Sequence, residues 1–247
     1  MERKLFLVGE GGYIFVDPEK DFNTEFGIIS ASDLKNAKPG KSIKTHKGSV
    51  FYVCEPNNID LLKKMIRLPQ IITPKDMGSI IMYGGVKSNS KILDAGTGSG
   101  FAACILSGIA SAGKVISYEQ RKDFARVAEK NKTFFGADNL KIVNSDIKSG
   151  VKEKNFDFAL LDLPDPDEIL PGISKNLKVG ATVCCYLPSI IQIQKTIKSL
   201  PACMKISRLI QNLETDWKVD MDRNILRPES SGIMHTAFLL FVRKVSE

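Results

Sequence analysis

The segment Lys91-Ile-Leu-Asp94-Ala-Gly96-Thr-Gly98-Ser99-Gly100-Phe101 limits what this chain can fold into more than any other. A short apolar strand ends in an acid, three alternating glycines follow, and an amphipathic run begins. Such a strand–turn–helix brings bare backbone N–H groups and a helix N-terminus up to a ligand that side chains would otherwise keep away. The spacing is G-x-G-x-G. A dinucleotide fingerprint, G-x-G-x-x-G/A, needs a small residue at position 101, where Phe101 stands, so a nicotinamide or flavin cofactor is disfavoured. An acid just ahead of the glycines also suits a zwitterionic or cationic ligand better than a pyrophosphate.

Downstream of this turn, apolar runs of strand length alternate with helical patterns. Strands are expected at 91–94, 114–118, 140–144, 157–162, 180–186, 203–210 and 236–243, with helices at 99–110, 121–135, 167–176 and 189–199. This alternation predicts a mainly parallel, seven-stranded sheet covered on both faces, the last two strands forming an antiparallel pair at one edge. Residues 1–57 differ. Tyr13-Ile-Phe-Val, Gly27-Ile-Ile-Ser and Val50-Phe-Tyr-Val-Cys are short β-type runs between Asp-Pro, Pro-Gly and Lys-Gly turns, and predict a small all-β domain. Residues 58–88 read as a helical connector, with Pro74 at a first helical position behind Thr73 as N-cap, and 89–247 as the large α/β domain.

The net charge of +7 favours a polyanionic partner such as nucleic acid. Lys35, Lys38, Lys41, Lys44 and Lys47 recur every third residue with Asp33 as the nearby acid, and Pro39-Gly40 precludes one continuous helix through them. A solvated loop is one reading of the cluster; a phosphate-contacting surface is the other. The five cysteines form no C-x-x-C pair and read as reduced thiols of a cytoplasmic protein, and with two histidines in the chain no metal site is expected. The N-terminal apolar run is too short for a signal peptide, and no run approaches the roughly 20 residues of a membrane span.

In an open α/β sheet the ligand sits at the carboxyl ends of the strands. Acids recur there after four successive strands: Asp94, Glu119, Asp146 and Asp162. Asp94-x-Gly-x-Gly-x-Gly resembles motif I of the class I, Rossmann-like S-adenosylmethionine-dependent methyltransferases. That resemblance implies a cofactor site made by Asp94, Gly96, Gly98, Ser99, Gly100 and Phe101, with Glu119 on the ribose hydroxyls, Asp146 and Ile147 at the adenine, and Asp162 as a further cofactor-binding residue. Asp162-Leu-Pro-Asp-Pro lacks the [DN]-P-P-[YFW] quartet associated with exocyclic amine transfer, and no cysteine lies in 145–183 for cytosine C5 chemistry. A lone carboxylate at this point suits a ring nitrogen such as adenine N1, whose in-plane lone pair attacks a methyl directly. Asp162 could then accept a bond from the neighbouring amino group and stabilise the developing positive charge.

Taken with Gln70-Ile-Ile-Thr73-Pro-Lys75-Asp76, Tyr118-Glu119-Gln-Arg121, Arg227-Pro228, Gly232-Ile-Met-His235-Thr236 and Thr45-His46-Lys-Gly48, this motif is similar to the tRNA (adenine-N1)-methyltransferases of the T-loop, which act at position 58 and in some archaeal relatives also at 57. The resemblance spans nearly the whole chain. It implies a homotetramer, S-adenosylmethionine as donor with S-adenosylhomocysteine as product, Asp162 as the catalytic residue, and a β domain that helps hold tRNA. Arg67, Lys75, Arg227, His235, Lys35, Lys38 and Lys41 are the expected tRNA contacts. Thr73, Asp167 and Met234 depart from residues frequent in the family: an aromatic, a large residue and a glycine. Two other functions fit parts of the pattern. One is a class I methyltransferase of protein or a small molecule, as in the isoaspartyl enzymes; the other is a non-catalytic tRNA-binding partner subunit.

Overall fold

The computed structural model describes residues 5–9, 12–68, 70–229 and 235–247. Two compact units divide the chain, Met1–Lys64 and Met65–Glu247.

The first unit is β-rich. Strands β1 (Leu5–Gly9), β2 (Gly12–Val16), β5 (Ser42–Lys44) and β6 (Val50–Cys54) form an antiparallel sheet in the order β2-β1-β6-β5, and β3 (Phe22–Thr24) pairs with β4 (Gly27–Ile29). Leu5, Leu7, Val16, Ile29, Leu34, Phe51 and Val53 fill its small core. It is not purely β: helix α1 (Ala31–Asn36) lies within it, and α2 (Asn58–Lys64) closes it. Ser30 caps α1, accepting from the Asp33 N–H at 3.1 Å while its hydroxyl donates to the Asp33 carboxylate at 2.7 Å. The capping signal Ser-x-x-Asp is strong enough to start a single turn and a half.

In the second unit α3 (Pro74–Gly84) precedes the large sheet. Strands β7 (Lys91–Ala95), β8 (Lys114–Glu119), β9 (Leu140–Asn144), β10 (Phe156–Leu161) and β11 (Leu177–Leu187) are parallel. Helices α4 (Phe101–Ile109), α5 (Lys122–Phe135), α6 (Pro166–Ile173) and α7 (Ile190–Lys198) alternate with them. Strand β12 (Met204–Gln211) is followed by a separate exposed hairpin, β13 (Trp217–Asp220) with β14 (Ile225–Pro228), and then by β15 (Phe238–Lys244). The sheet order is β12-β15-β11-β10-β7-β8-β9, with β15 antiparallel to both of its neighbours. The expected seven strands and the antiparallel edge pair are present.

The near-continuous apolar character of β7, β10 and β15 follows from burial on both faces; Leu93, Leu160, Phe158 and Phe241 are fully buried. Strand β11 starts earlier than the expected residue 180. Its pairing with β10 jumps from Phe156↔Leu177 to Phe158↔Thr182, and Gly180 inside the resulting bulge has φ +91°. Among the described residues no helix is long and apolar enough to cross a membrane.

Candidate active site

The strand order reverses beside β7: β8 and β9 continue to one side, β10 and β11 to the other. At this switch point the loops leaving β7 and β10 diverge and open a crevice beyond the carboxyl ends. The loops touch at one place. A Cβ on Gly96 would lie 2.0 Å from the carbonyl oxygen of Asp162, and Gly96 has φ +91°, so both space and backbone demand glycine. Backbone bonds lock this approach: the Asp162 N–H donates to Ala95 O at 2.9 Å, and the Gly96 and Thr97 N–H groups both donate to Tyr118 O.

The crevice is a cavity of about 350 Å³, within the usual range for a small-molecule site. Gly96, Gly98, Glu119, Asp146, Ile147 and Asp162 border it, as expected, and Gln70, Tyr118 and Arg121 join them. Glu119 is 4% exposed. One carboxylate oxygen accepts from Gly98 N–H at 2.9 Å and the other from Arg121 N–H at 3.0 Å, so it ties the glycine turn to the loop after β8. The oxygen bonded by Gly98 keeps a lone pair for a ligand hydroxyl, whereas the other also accepts from Arg121 Nε–H at 3.4 Å. Asp146 is exposed at the mouth and caps a 3-10 turn (Ile147–Ser149) by accepting from Lys148 N–H.

Four expected cofactor residues stand outside the cavity lining. Asp94 is 1% exposed beneath it; the Ser117 hydroxyl donates to one of its oxygens, and the other has no partner among the described residues. Ser99 is buried, its carbonyl held by Asn131 Nδ2 at 2.8 Å. Gly100 sits at the N-cap of α4 with Ala128 against it, and the Phe101 ring is buried with the Arg67 guanidinium 5.7 Å from its centroid. These residues shape the turn from behind rather than face a ligand.

The site is negative. Burial, and secondarily the nearby Glu119 charge, hold the Asp94 carboxyl up at about 6 against the opposing bond from Ser117. Burial and the Asp94 charge push Asp162 up to about 7. No described donor reaches the Asp162 carboxylate. The basic groups nearby are already matched: Arg121 bonds Glu119 at 3.4 Å and stacks on Phe124, and Lys148 pairs with Glu168 at 2.6 Å. A cationic ligand would relieve the strained carboxylates, and the glycine cradle leaves room for its backbone-like end. The residues therefore fit S-adenosylmethionine, a sulfonium bearing an amino acid.

Beside the cavity lies a buried polar cluster that the sequence reading missed. Asp76 is fully buried and accepts from Lys75, Asn212, Thr73, Tyr186 and Thr236, the last at 2.6 Å. Burial raises its pKa, but the bonds from Thr236, Asn212 and Lys75 outweigh that and hold it below the usual carboxylate range. Thr73, expected as a helix cap through its side chain, spends its hydroxyl on Asp76 instead. Tyr186, at the end of β11, feels the charges of both Asp76 and Asp162, and burial pushes its phenol well up.

Lys75 is corrected as a tRNA contact. Its side chain is 8% exposed and its ammonium donates to Asp76, to Asn212 O at 3.2 Å and to Thr236 at 2.8 Å, which uses all three of its protons. His235 is exposed, bonds Pro188 O at 3.2 Å and packs on Phe238 with centroids 4.9 Å apart, which gives it a structural role at the end of β11. Arg227 on β14 and Arg67 present exposed guanidinium groups. In the first unit Lys38 and Lys41 are exposed, whereas Lys35 pairs with Glu19 at 2.8 Å, an acid that spacing alone did not associate with it. Met234 lies outside the described residues.

An open seven-stranded sheet in this order, with a glycine cradle and acids at the carboxyl ends, defines a class I S-adenosylmethionine-dependent methyltransferase. The model of the tRNA methyltransferase complex GCD14 subunit family matches residues 63–221. The chain is 31% identical to the tRNA (adenine(57)-N(1)/adenine(58)-N(1))-methyltransferase of Methanocaldococcus jannaschii, over 96% of this chain and 93% of that protein. Among solved structures, a SAM-dependent O-methyltransferase from Thermotoga maritima superposes with a TM-score of 0.85 at 34% identity, covering 100% of this chain and 94% of that one. The tRNA (m1A58) methyltransferase of Aquifex aeolicus follows at 0.81 and 25%, covering 100% and 98%. The chain belongs to the GCD14 family of tRNA methyltransferase subunits.

Proposed function

We propose that this chain methylates N1 of adenosine 58 in the T-loop of tRNA, with adenosine 57, named for the archaeal relative, as the second target to test. S-adenosylmethionine, when bound, supplies an electrophilic methyl group on a positively charged sulfur. Gly96 and Gly98 would leave space for its amino acid end, Glu119 would take the ribose hydroxyls, and Asp146 with Ile147 would hold the adenine; all five border the cavity. The observation that carries the reading is Asp162: a partly buried carboxylate without a donor among the described residues, at the switch point, bordering the negative cavity. It accepts a hydrogen bond from the N6 amino group of the target base. That orients N1, and the fixed charge stabilises the cationic ring that forms. The base must leave the T-loop stack to get there, at a cost of a few kcal/mol, which phosphate contacts offset. The family resemblance supports a homotetramer working in the cytoplasm.

The likeness to the Thermotoga SAM-dependent O-methyltransferase favours a second reading, a hydroxyl acceptor. A carboxyl with a pKa of about 7 could serve there as general base. Labelled methyl transfer into bulk tRNA, compared with aged peptide and small alcohols, separates the classes: label in tRNA is expected, and label in the other acceptors alone contradicts the proposal.

The first unit is proposed to contact the tRNA backbone through Lys38 and Lys41. Exchanging both for Gln is expected to weaken tRNA binding and to reduce the slope of log affinity against log salt by about 1.5. Exchange of Lys35, already neutralised by Glu19, should change the slope less. Equal slopes for wild type and the Lys38/Lys41 variant would return both lysines to plain surface.

A further inference from the structure

The edge of the large sheet opposite the cofactor cavity carries a second concentration of charge. Lys114 at the start of β8 pairs in register with Lys91 at the start of β7. The β10 residue Asp157 follows, bonded by Lys91 N–H at 2.8 Å and by Lys178 of β11 at 2.5 Å. Arg243, at the end of β15, is in register with Thr182 of β11 and with Lys205 of β12. Five of six adjacent strands thus present cations along one edge, with Asp157 of β10 between them, over a line of roughly 24 Å at the usual strand spacing. Lys87 adds to it from the loop before β7, close enough to depress Asp157 by its charge. Of the described acids at this edge, Asp157 is matched by Lys178 and Glu247 by Lys244, while Asp138 stands exposed just ahead of β9.

This edge is also concave. The bulge at Gly180 separates the start of β11 from β10, and a cleft of about 560 Å³ opens there, bordered by Lys87, Asp157, Lys178, Gly180 and Arg243. Arg243 is held in place by its Nε–H bond to Gly180 O at 3.1 Å, while its outer nitrogens remain available. A compact anion would need cations converging on one point. A line of cations repeated strand by strand matches a linear polyanion instead.

We propose that this edge binds the phosphodiester backbone of the substrate tRNA at a region outside the T-arm. The inference rests on the reading of tRNA as substrate. Asp162 and the cavity lie at the other ends of the same strands, so an RNA seated here engages a part of the molecule remote from the reacting base.

The test compares the variant Lys87→Gln/Lys178→Gln/Arg243→Gln with a control of equal charge change, Arg126→Gln/Lys130→Gln/Lys198→Gln, whose residues are exposed on α5 and α7. Affinities for full-length tRNA and for an isolated T-arm stem-loop are measured across a salt series. The edge variant is expected to bind full-length tRNA at least tenfold more weakly, with a salt slope smaller by about 2. Its affinity for the stem-loop and its kcat on that stem-loop should stay within twofold of wild type, and the control within threefold throughout. Lys87→Gln alone should show the same sign at about threefold, which keeps the test alive if the triple variant fails to fold. Unchanged tRNA binding by the edge variant while the wild type methylates tRNA overturns this inference alone. So does an equal loss on both RNAs, or an equal loss in the control. Failure of the wild-type chain to methylate either RNA overturns the substrate reading, and this inference with it.

Discussion

Replacing Asp162 by Asn is expected to lower turnover by at least 100-fold and, at pH 8, to make the folded protein more stable. The first effect follows from its place: a fixed negative charge beside a base that becomes cationic is worth about 3 kcal/mol in a water-poor site. An amide keeps the shape and loses the charge. The second effect follows from the raised pKa. In the unfolded chain this carboxyl ionises near the ordinary 3.8, in the folded chain only near 7. The folded state is therefore penalised progressively as pH rises from about 4 to 7, and fully above that. Each unit of difference corresponds to about 1.4 kcal/mol; with solvent reaching part of the side chain, roughly 2 kcal/mol is the expected gain for Asn at pH 8, vanishing at pH 4. Thermal melts of both proteins across that range read it directly. The same ionisation should appear in the wild type as an acid limb of kcat/KM for the methyl donor, centred near 7, because activity needs the carboxylate. A variant with wild-type turnover, or with the same stability difference at pH 4 and 8, would remove Asp162 from this role.

Replacing Lys75 by Met should destabilise the second unit by about 3–5 kcal/mol while leaving the salt dependence of tRNA binding unchanged. Among the described residues the ammonium is the one cation on this fully buried carboxylate, and without it the described donors left to Asp76 are the neutral groups of Thr73, Tyr186, Asn212 and Thr236. Loss of roughly 10 °C in melting temperature is the expected scale. Because Asp76 joins α3 to Tyr186 near Asp162, kcat should fall as well. A variant with normal melting and a smaller salt slope would instead make Lys75 a phosphate contact.

The contrast between these two residues shows what was legible in the chain. The place of Asp162 at the cavity was readable because its setting is local: a strand, an acid at its end, a proline turn. The glycine turn and Glu119 were readable for the same reason, since strand alternation puts them at one end of one sheet. The environment of Lys75 was not, because its partners Asn212 and Thr236 lie more than a hundred residues away and arrive only when β12 and β15 close beside α3. Asn131, which accepts from Ile66 N–H at 2.8 Å and donates to the Ser99 carbonyl, is hidden in the same way. The cation line along the far edge needed strand register, since Lys114, Lys91, Lys178 and Arg243 share no spacing. Helix α1 was missed for a different reason. Six residues between β runs make a weak helical pattern, and the Ser30 cap that starts the helix gains its meaning only once the turn is formed. The exposed hairpin β13–β14 has too little buried surface to mark its strands.

Which atom receives the methyl group decides the function of this chain. Full-length tRNA would be incubated with the protein and labelled S-adenosylmethionine, digested, and its nucleosides resolved by mass spectrometry with the modified position mapped. The expected product is 1-methyladenosine at position 58, lost in Asp162→Asn. Label in a ribose 2′-O-methyl group, on another base, or nowhere in tRNA would contradict the account.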